Sequence, residues 1–184
     1  MGVSTPQRHE PDQKPEFMAD ASQYLTFQLS GETFAIAILS IKEILEYVSL
    51  TRVPLMPAFI RGVMNLRGSV VPVIDLSLRF GREKTVIAHR TCIVIIEVAS
   101  EGQTIYLGAL VDTVHEVLAI PDSEIEPPPQ FGCKIRADFL AGMAKVEDRF
   151  VMLLNVDKVL SEEEMALLTE MKPEHLSEKF SEPA

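Results

Sequence analysis

Cysteine and histidine are scarce in this sequence, and each scarcity removes a class of function. The two cysteines, Cys92 and Cys133, stand in unrelated contexts without metal-ligand spacing, which suits a reducing compartment better than a disulfide scaffold. Of the four histidines, His9 and His175 fall near the ends, and His89 and His115 lack a Cys, Ser or carboxylate neighbour at ligand or triad spacing. No Gly-rich phosphate loop, Gly-Xaa-Ser-Xaa-Gly elbow or paired metal motif occurs. The expectation is a non-enzyme with no catalytic residue, metal or cofactor. No apolar run approaches the length that spans a bilayer, and the N-terminus has no apolar signal-peptide core, so the chain is expected to be soluble and cytoplasmic. The net charge of −10 repels nucleic-acid phosphates and anionic lipid heads alike, so direct contact with either is not expected.

What the chain has is size and pattern. Its 184 residues, 47% hydrophobic, suffice for a buried core in one bipartite domain or two small ones. The organising stretch runs from Phe59 to Leu76, where two apolar runs, Val63 to Leu66 and Val70 to Ile74, flank Arg67-Gly68-Ser69. A Gly between β-formers marks a tight hairpin, and Gly68 takes the positive φ such a turn needs. Arg67 then stands at the tip. Pro72 cannot donate to a ladder, which predicts an edge strand over Val70 to Ile74, or one N–H position facing away from a partner.

This pattern occurs twice. Shifted by eighty residues, Phe59-Ile60-Arg61-Gly62-Val63 lies on Phe139-Leu140-Ala141-Gly142-Met143, and Val71 to Leu76 lies on Val151 to Val156. With a shift of seventy-three, Ile41-Lys42-Glu43-Ile44-Leu45 matches Val114-His115-Glu116-Val117-Leu118, so the extra residues fall around Pro127-Pro128-Pro129, in a loop. A repeated unit of about seventy residues suits a small barrel of roughly five strands. The fold class expected is mainly β: two SH3-like five-stranded β-barrels in tandem, with a few short helices and a C-terminal helix. The duplication also separates what the fold needs from what one half uses alone, because at the hairpin tip Arg67-Gly68-Ser69 aligns with Glu147-Asp148-Arg149. The fold requires a turn there, but not Arg67.

Asn65-Leu66-Arg67-Gly68, followed by Val71-Pro72-Val73-Ile74-Asp75-Leu76, resembles the signature of the CheW-like domains of bacterial chemotaxis, as do Phe139-Leu140-Ala141-Gly142 and Leu154-Asn155-Val156-Asp157-Lys158-Val159-Leu160. The resemblance extends from about Gln23 to Leu168, with Asn65, Leu66, Gly68, Pro72 and Asp75 as its hairpin signature. It implies a non-catalytic adaptor that holds the cytoplasmic helical hairpin tips of chemoreceptors (methyl-accepting chemotaxis proteins) against the regulatory domain of the histidine kinase CheA, recruited to membrane receptor arrays. An alternative is the same adaptor in a non-flagellar array controlling surface motility or a second messenger.

In chain order, residues 1–21 read as a disordered arm, 22–86 as a first barrel, 87–160 as a second, 161–172 as a helix and 173–184 as a flexible tail. Ser30-Gly31-Glu32 and Glu101-Gly102-Gln103 are turns between strands. Leu39 to Tyr47 is ambiguous between helix and strand, with Glu43 expected on an exposed face. Asp75 is placed to cap a short helix closed by Gly81, and Ser161-Glu162-Glu163-Glu164 forms a capping box before an apolar side of Met165, Leu167, Leu168 and Met171.

The resemblance puts the Arg at the position of Arg67 on the receptor interface. A plainer reading pairs Arg67 with Asp75 or Glu43, although an exposed pair contributes only about 0–1 kcal/mol. Glu43 has Glu116 as its repeat partner, consistent with a solvated face in both halves. Ile41, Val111 and Val114 are mostly core by pattern, yet where two barrels meet, such residues line a groove that accepts the apolar face of a helix. The candidate receptor-binding set is Arg67, Glu43, Ile41, Val114 and Val111.

Overall fold

A computed structural model of the chain describes Gly2 and residues 21–128 and 135–170. The expected N-terminal arm, the tail, Cys133, Met171 and part of the Pro-rich loop lie outside those residues. Among the described residues, eleven strands form two sheets. They are β1 (Ala21–Leu29), β2 (Glu32–Ala37), β3 (Ile41–Glu46), β4 (Ile60–Leu66), β5 (Ser69–Asp75), β6 (Cys92–Ser100), β7 (Gln103–Val111), β8 (Thr113–Pro121), β9 (Ile125–Glu126), β10 (Leu140–Val146) and β11 (Arg149–Leu154). The described residues also form two short helices, α1 (Leu76–Arg79) and α2 (Glu162–Thr169), and four 3-10 turns. The mainly β, double-barrel class expected from the sequence is what the chain adopts.

Four hairpins share one turn chemistry. Each has two central residues at positive φ: Ser30 and Gly31 at 50° and 82°, Arg67 and Gly68 at 51° and 85°, Glu101 and Gly102 at 47° and 76°, Glu147 and Asp148 at 49° and 62°. These are the left-handed pairs of a type I′ turn, whose twist matches that of the flanking strands. Ser69 therefore opens β5, and the loop at the centre of the repeat is Arg67-Gly68 alone.

The strands do not divide where the sequence does. One sheet has the order β8-β1-β2-β11-β10-β9 and the other β3-β6-β7-β5-β4. Each barrel thus takes its opening hairpin from one repeat and its remaining strands from the other. The pairings match: β1 lies antiparallel to β8 as β6 does to β3, and β2 runs parallel to β11 as β7 does to β5. The boundary expected at 86/87 separates repeats, not barrels, because similarity between halves identifies equivalent strands without saying which copy pairs with which.

The same pairing corrects the edge-strand expectation. β5 lies between β4 and β7, and its parallel ladder to β7 begins at Val73, one residue beyond Pro72. The Leu39 to Tyr47 ambiguity resolves as the edge strand β3. On it Ile41, Glu43 and Leu45 are partly buried and Lys42, Ile44 and Glu46 exposed. Glu43 is therefore not on the exposed face, because a bulge between Ile41 and Glu43 turns its side chain toward the barrel.

Three apolar clusters follow. Met64, Val71, Val73, Ile93, Ile95 and Leu110 fill the five-stranded barrel, and Ala35, Ile120, Ala144, Val151 and Leu153 fill the six-stranded one. The largest cluster lies between them and carries a file of rings: Phe27 to Phe34 at 6.2 Å, Phe34 to Phe80 at 5.6 Å and Phe80 to Phe139 at 5.4 Å. Each such pair contributes about 0.5–1.5 kcal/mol beyond the area it buries.

Arg79 sits where the repeats meet. Its guanidinium lies 4.8 Å and 5.0 Å from the ring centroids of Phe59 and Phe139, which are repeat equivalents. Its Nε donates to the carbonyl of Val159, its own equivalent eighty residues on, at 2.7 Å, and its Nη2 donates to Glu164 at 2.8 Å. Glu164 belongs to the expected capping box with Ser161 at the start of α2, which packs Met165 and Leu168 into the central cluster and leaves Leu167 outward.

Gly62 and Gly142 occupy equivalent bulges. A Cβ on Gly62 would lie 2.5 Å from the carbonyl oxygen of Thr51, and one on Gly142 2.8 Å from that of Glu126. Both glycines let a neighbouring backbone approach closely.

Asp75 is fully buried. It accepts from Arg61 Nη1 at 2.9 Å, from Thr85 N and Oγ1 at 2.9 Å each, and from Leu78 N at 3.3 Å as the expected cap of α1. This ties the inter-repeat segment to β5, and in the other repeat the ion pair is absent, replaced by Ala141 and Asn155. Asp75→Ala should cost about 3–5 kcal/mol in urea unfolding, since it strands a buried guanidinium. Combining Arg61→Ala with Asp75→Asn, which copies the second repeat, should recover most of that loss.

Candidate functional site

Arg67 stands at the tip of β4–β5, 73% exposed, and its Nη2 donates to Glu43 Oε1 at 3.0 Å. Asn65 supports the turn by accepting the N–H of Gly68 on its Oδ1 at 2.9 Å. Of the two pairings open from sequence, the structure selects Glu43, since Asp75 is buried and occupied by Arg61 and Thr85. Among the described residues, no group donates to the other, buried carboxylate oxygen of Glu43.

Beside this tip the edge strands β3 and β8 wall the seam between the barrels. Ile44 and Val117, repeat equivalents, are 42% and 48% exposed on the faces that pair with Val94 and Leu25 of the central cluster. Ile41 and Val114, also equivalents, are half-buried below them and pack on the same cluster. Val111 is wholly buried within it, so it cannot meet a partner and leaves the candidate set. Cys92 lies where the two strands approach: burial raises its thiol pKa, the Val114 backbone partly opposes this, and Glu46 raises it further. Such a thiol is a poor nucleophile.

In the sequence Ile44 and Val117 stand only as one matched pair within Ile41 to Leu45 and Val114 to Leu118. What makes them wall residues is that β3 and β8 are edge strands, which the repeat does not disclose.

The equivalent mouth of the six-stranded barrel differs. There Glu116 and Glu147 stand where Glu43 and Arg67 stand in the other barrel, and a cleft of about 350 Å³ opens among Thr26, Leu118, Val146, Val151, Glu116 and Glu147, with His115 and Arg149 on its rim. Thr26 closes the base of that strand pair, donating to the Glu116 carbonyl at 2.8 Å and accepting its N–H at 3.1 Å. Among the described residues no cluster of His, Cys, Asp or Glu is arranged to hold a metal.

A family comparison matches residues 23–164 to the CheW-like domain. The chain belongs to the CheW-like family. Chemotaxis protein CheW of Klebsiella aerogenes is 35% identical over 153 residues, 83% of this chain and 90% of that protein. Chemotaxis protein CheW of Bacillus subtilis is 33% identical over 139 residues, 76% and 86% of the two chains. The crystal structure of the scaffolding protein TtCheW from Thermoanaerobacter tengcongensis superposes with a TM-score of 0.73 at 33% identity, covering 86% of this chain and 99% of that one. The CheW-like match takes in every strand but the first residues of β1, the Arg67 tip and both edge strands of the seam. Among the described residues no helix is long and apolar enough to cross a membrane.

Because the Arg67–Glu43 pair is solvent-facing at its cationic end, a double-mutant cycle with Arg67→Ala and Glu43→Gln should return a coupling below about 1 kcal/mol in denaturant unfolding. A larger coupling would mean that the pair exists for the fold.

Proposed function

We propose that this protein is a non-catalytic adaptor of a chemotaxis pathway, coupling chemoreceptor cytoplasmic tips to the regulatory domain of the histidine kinase CheA from the cytoplasmic side of receptor arrays. The observation that carries the reading is the exposed Arg67, weakly held by Glu43, beside a seam walled by Ile44 and Val117. A receptor helix lies in the seam with its apolar stripe on Ile44, Val117 and the half-buried Ile41 and Val114. Arg67, exposed at the tip, offers its remaining guanidinium N–H groups to a carboxylate on the receptor while one nitrogen stays on Glu43.

The kinase engages other surfaces of the double barrel. By holding both partners at once the adaptor raises their effective concentration, and a shift in the receptor helices then biases the kinase between states. Membership of the CheW-like family and the scaffold named in the TtCheW structure support this reading.

In pull-downs with a purified receptor signalling fragment, Arg67→Glu should lose most receptor binding while keeping its unfolding midpoint and its binding to the CheA regulatory domain. Ile44→Lys combined with Val117→Lys should do the same. Normal receptor capture by both variants would remove the assignment of this face.

A further inference from the structure

Beside the Arg67 tip lies a second surface that the seam does not use. The start of β5, the outer end of β7 and the last turn of α2 enclose a cleft of about 220 Å³, lined by Val70, Pro72, Ile105, Tyr106, Leu168 and Thr169. Leu168 belongs to the central cluster and Val70 and Ile105 pack on it, while Tyr106 is 38% exposed. The floor of the cleft is therefore the core itself. Its volume exceeds the roughly 150 Å³ that admits a benzene-sized group, so a single aromatic ring fills it. Two cations stand beside it. Arg67 adjoins the lining residue Gly68 and keeps N–H groups beyond the one on Glu43, and the exposed Lys42 has its Nζ 6.0 Å from the Tyr106 ring centroid. An apolar slot between two cations suits an aromatic side chain with a carboxylate on either side.

The chain carries that pattern once past α2, in Glu178-Lys179-Phe180-Ser181-Glu182. α2 ends at Thr169, which itself lines the cleft. Phe180 follows eleven residues later, a span of up to about 36 Å when extended, so the length of chain does not limit its return. The first repeat already folds its chain in this way. Beyond β5, Arg82 donates to the Leu29 carbonyl at 3.4 Å and to Glu32, both of hairpin β1–β2, and lies 5.7 Å from the Phe34 ring centroid.

We infer that residues 178–182 of this chain dock in the cleft, with the Phe180 ring on Val70, Pro72 and Ile105 and with Glu178 and Glu182 on Arg67 and Lys42. Pro173 disfavours helical geometry at the residue before it, which turns the chain off the axis of α2 and back toward the cleft. Tethering holds the segment at an effective concentration in the millimolar range, so a contact too weak to form between separate molecules still forms within one. The docked segment takes the N–H groups of Arg67 that a receptor carboxylate would use, and so acts as a built-in competitor for the tip. That consequence, unlike the docking, rests on the receptor assignment proposed above.

Amide NMR spectra of the full chain with and without Phe180→Ser test the docking. The amides of Gly68, Val70, Ile105, Tyr106 and Thr169 should shift, and Glu178→Lys combined with Glu182→Lys should move the same set. Capture of the receptor signalling fragment by Phe180→Ser should rise about twofold or more. Shifts confined to the neighbours of position 180 would overturn the docking, and shifts at the cleft that fade on dilution would assign the segment to a second copy and overturn the contact within one chain. Cleft shifts with unchanged receptor capture would overturn the competition; if Arg67→Glu also captures receptor normally, the receptor assignment has failed and the docking remains.

Discussion

The exchange of opening hairpins between the two barrels is the constraint on which the rest of the structure depends. Hairpin β1–β2 is bounded by β8 and β11 of the other repeat, and β6–β7 by β3 and β5. Neither barrel exists until strands distant in sequence have met, so neither repeat holds a complete sheet by itself. The phenylalanine file through Phe27, Phe34, Phe80 and Phe139 and the Arg79 contact with Phe59, Phe139 and Val159 lie where the repeats cross. The two barrels share their largest apolar cluster instead of merely touching. Pairing of such long range is slow to form, and once formed it resists motion of one barrel against the other.

That rigidity gives the differences between the repeats their meaning. A shared framework imposes the same demands twice, and where the two copies answer them differently the difference is free for use or compensates another. The buried Arg61–Asp75 pair becomes Ala141 and Asn155, a joint change that leaves no charge unpaired. The change from Arg67 to Glu147 is of another kind. It alters only the solvent end of a hairpin whose turn geometry is the same in both copies, and it leaves one barrel mouth closed by an ion pair and the other open. Between these mouths, Ile44 and Val117 keep the seam apolar on both walls.

Much of this was legible in the residues. Gly31, Gly68 and Gly102 marked three hairpins through the backbone freedom such turns require, and Asp75 and Ser161 marked the two helix starts through their capping chemistry. The alignment of Phe59-Ile60-Arg61-Gly62 with Phe139-Leu140-Ala141-Gly142 disclosed the duplication and isolated Arg67. What stayed hidden depends on pairing. Repetition identifies equivalent strands but not their partners, so the exchange of hairpins, the interior position of β5 despite Pro72, and the edge position of β3 could not be read. Glu43 was misplaced for the same reason, since a bulge changes which face a side chain takes and leaves no mark in the alternation. Val111 read as a groove residue because apolar pattern alone does not separate a wall from a floor.

Native-state amide hydrogen exchange on the full chain tests the interleaved double barrel most directly. If both barrels depend on strands from both repeats, the slowest amides of β1, β2, β10 and β11 and those of β5, β6 and β7 should exchange with one common opening free energy equal to that of global unfolding. Two separate classes, with one barrel opening while the other stays protected, would contradict the account.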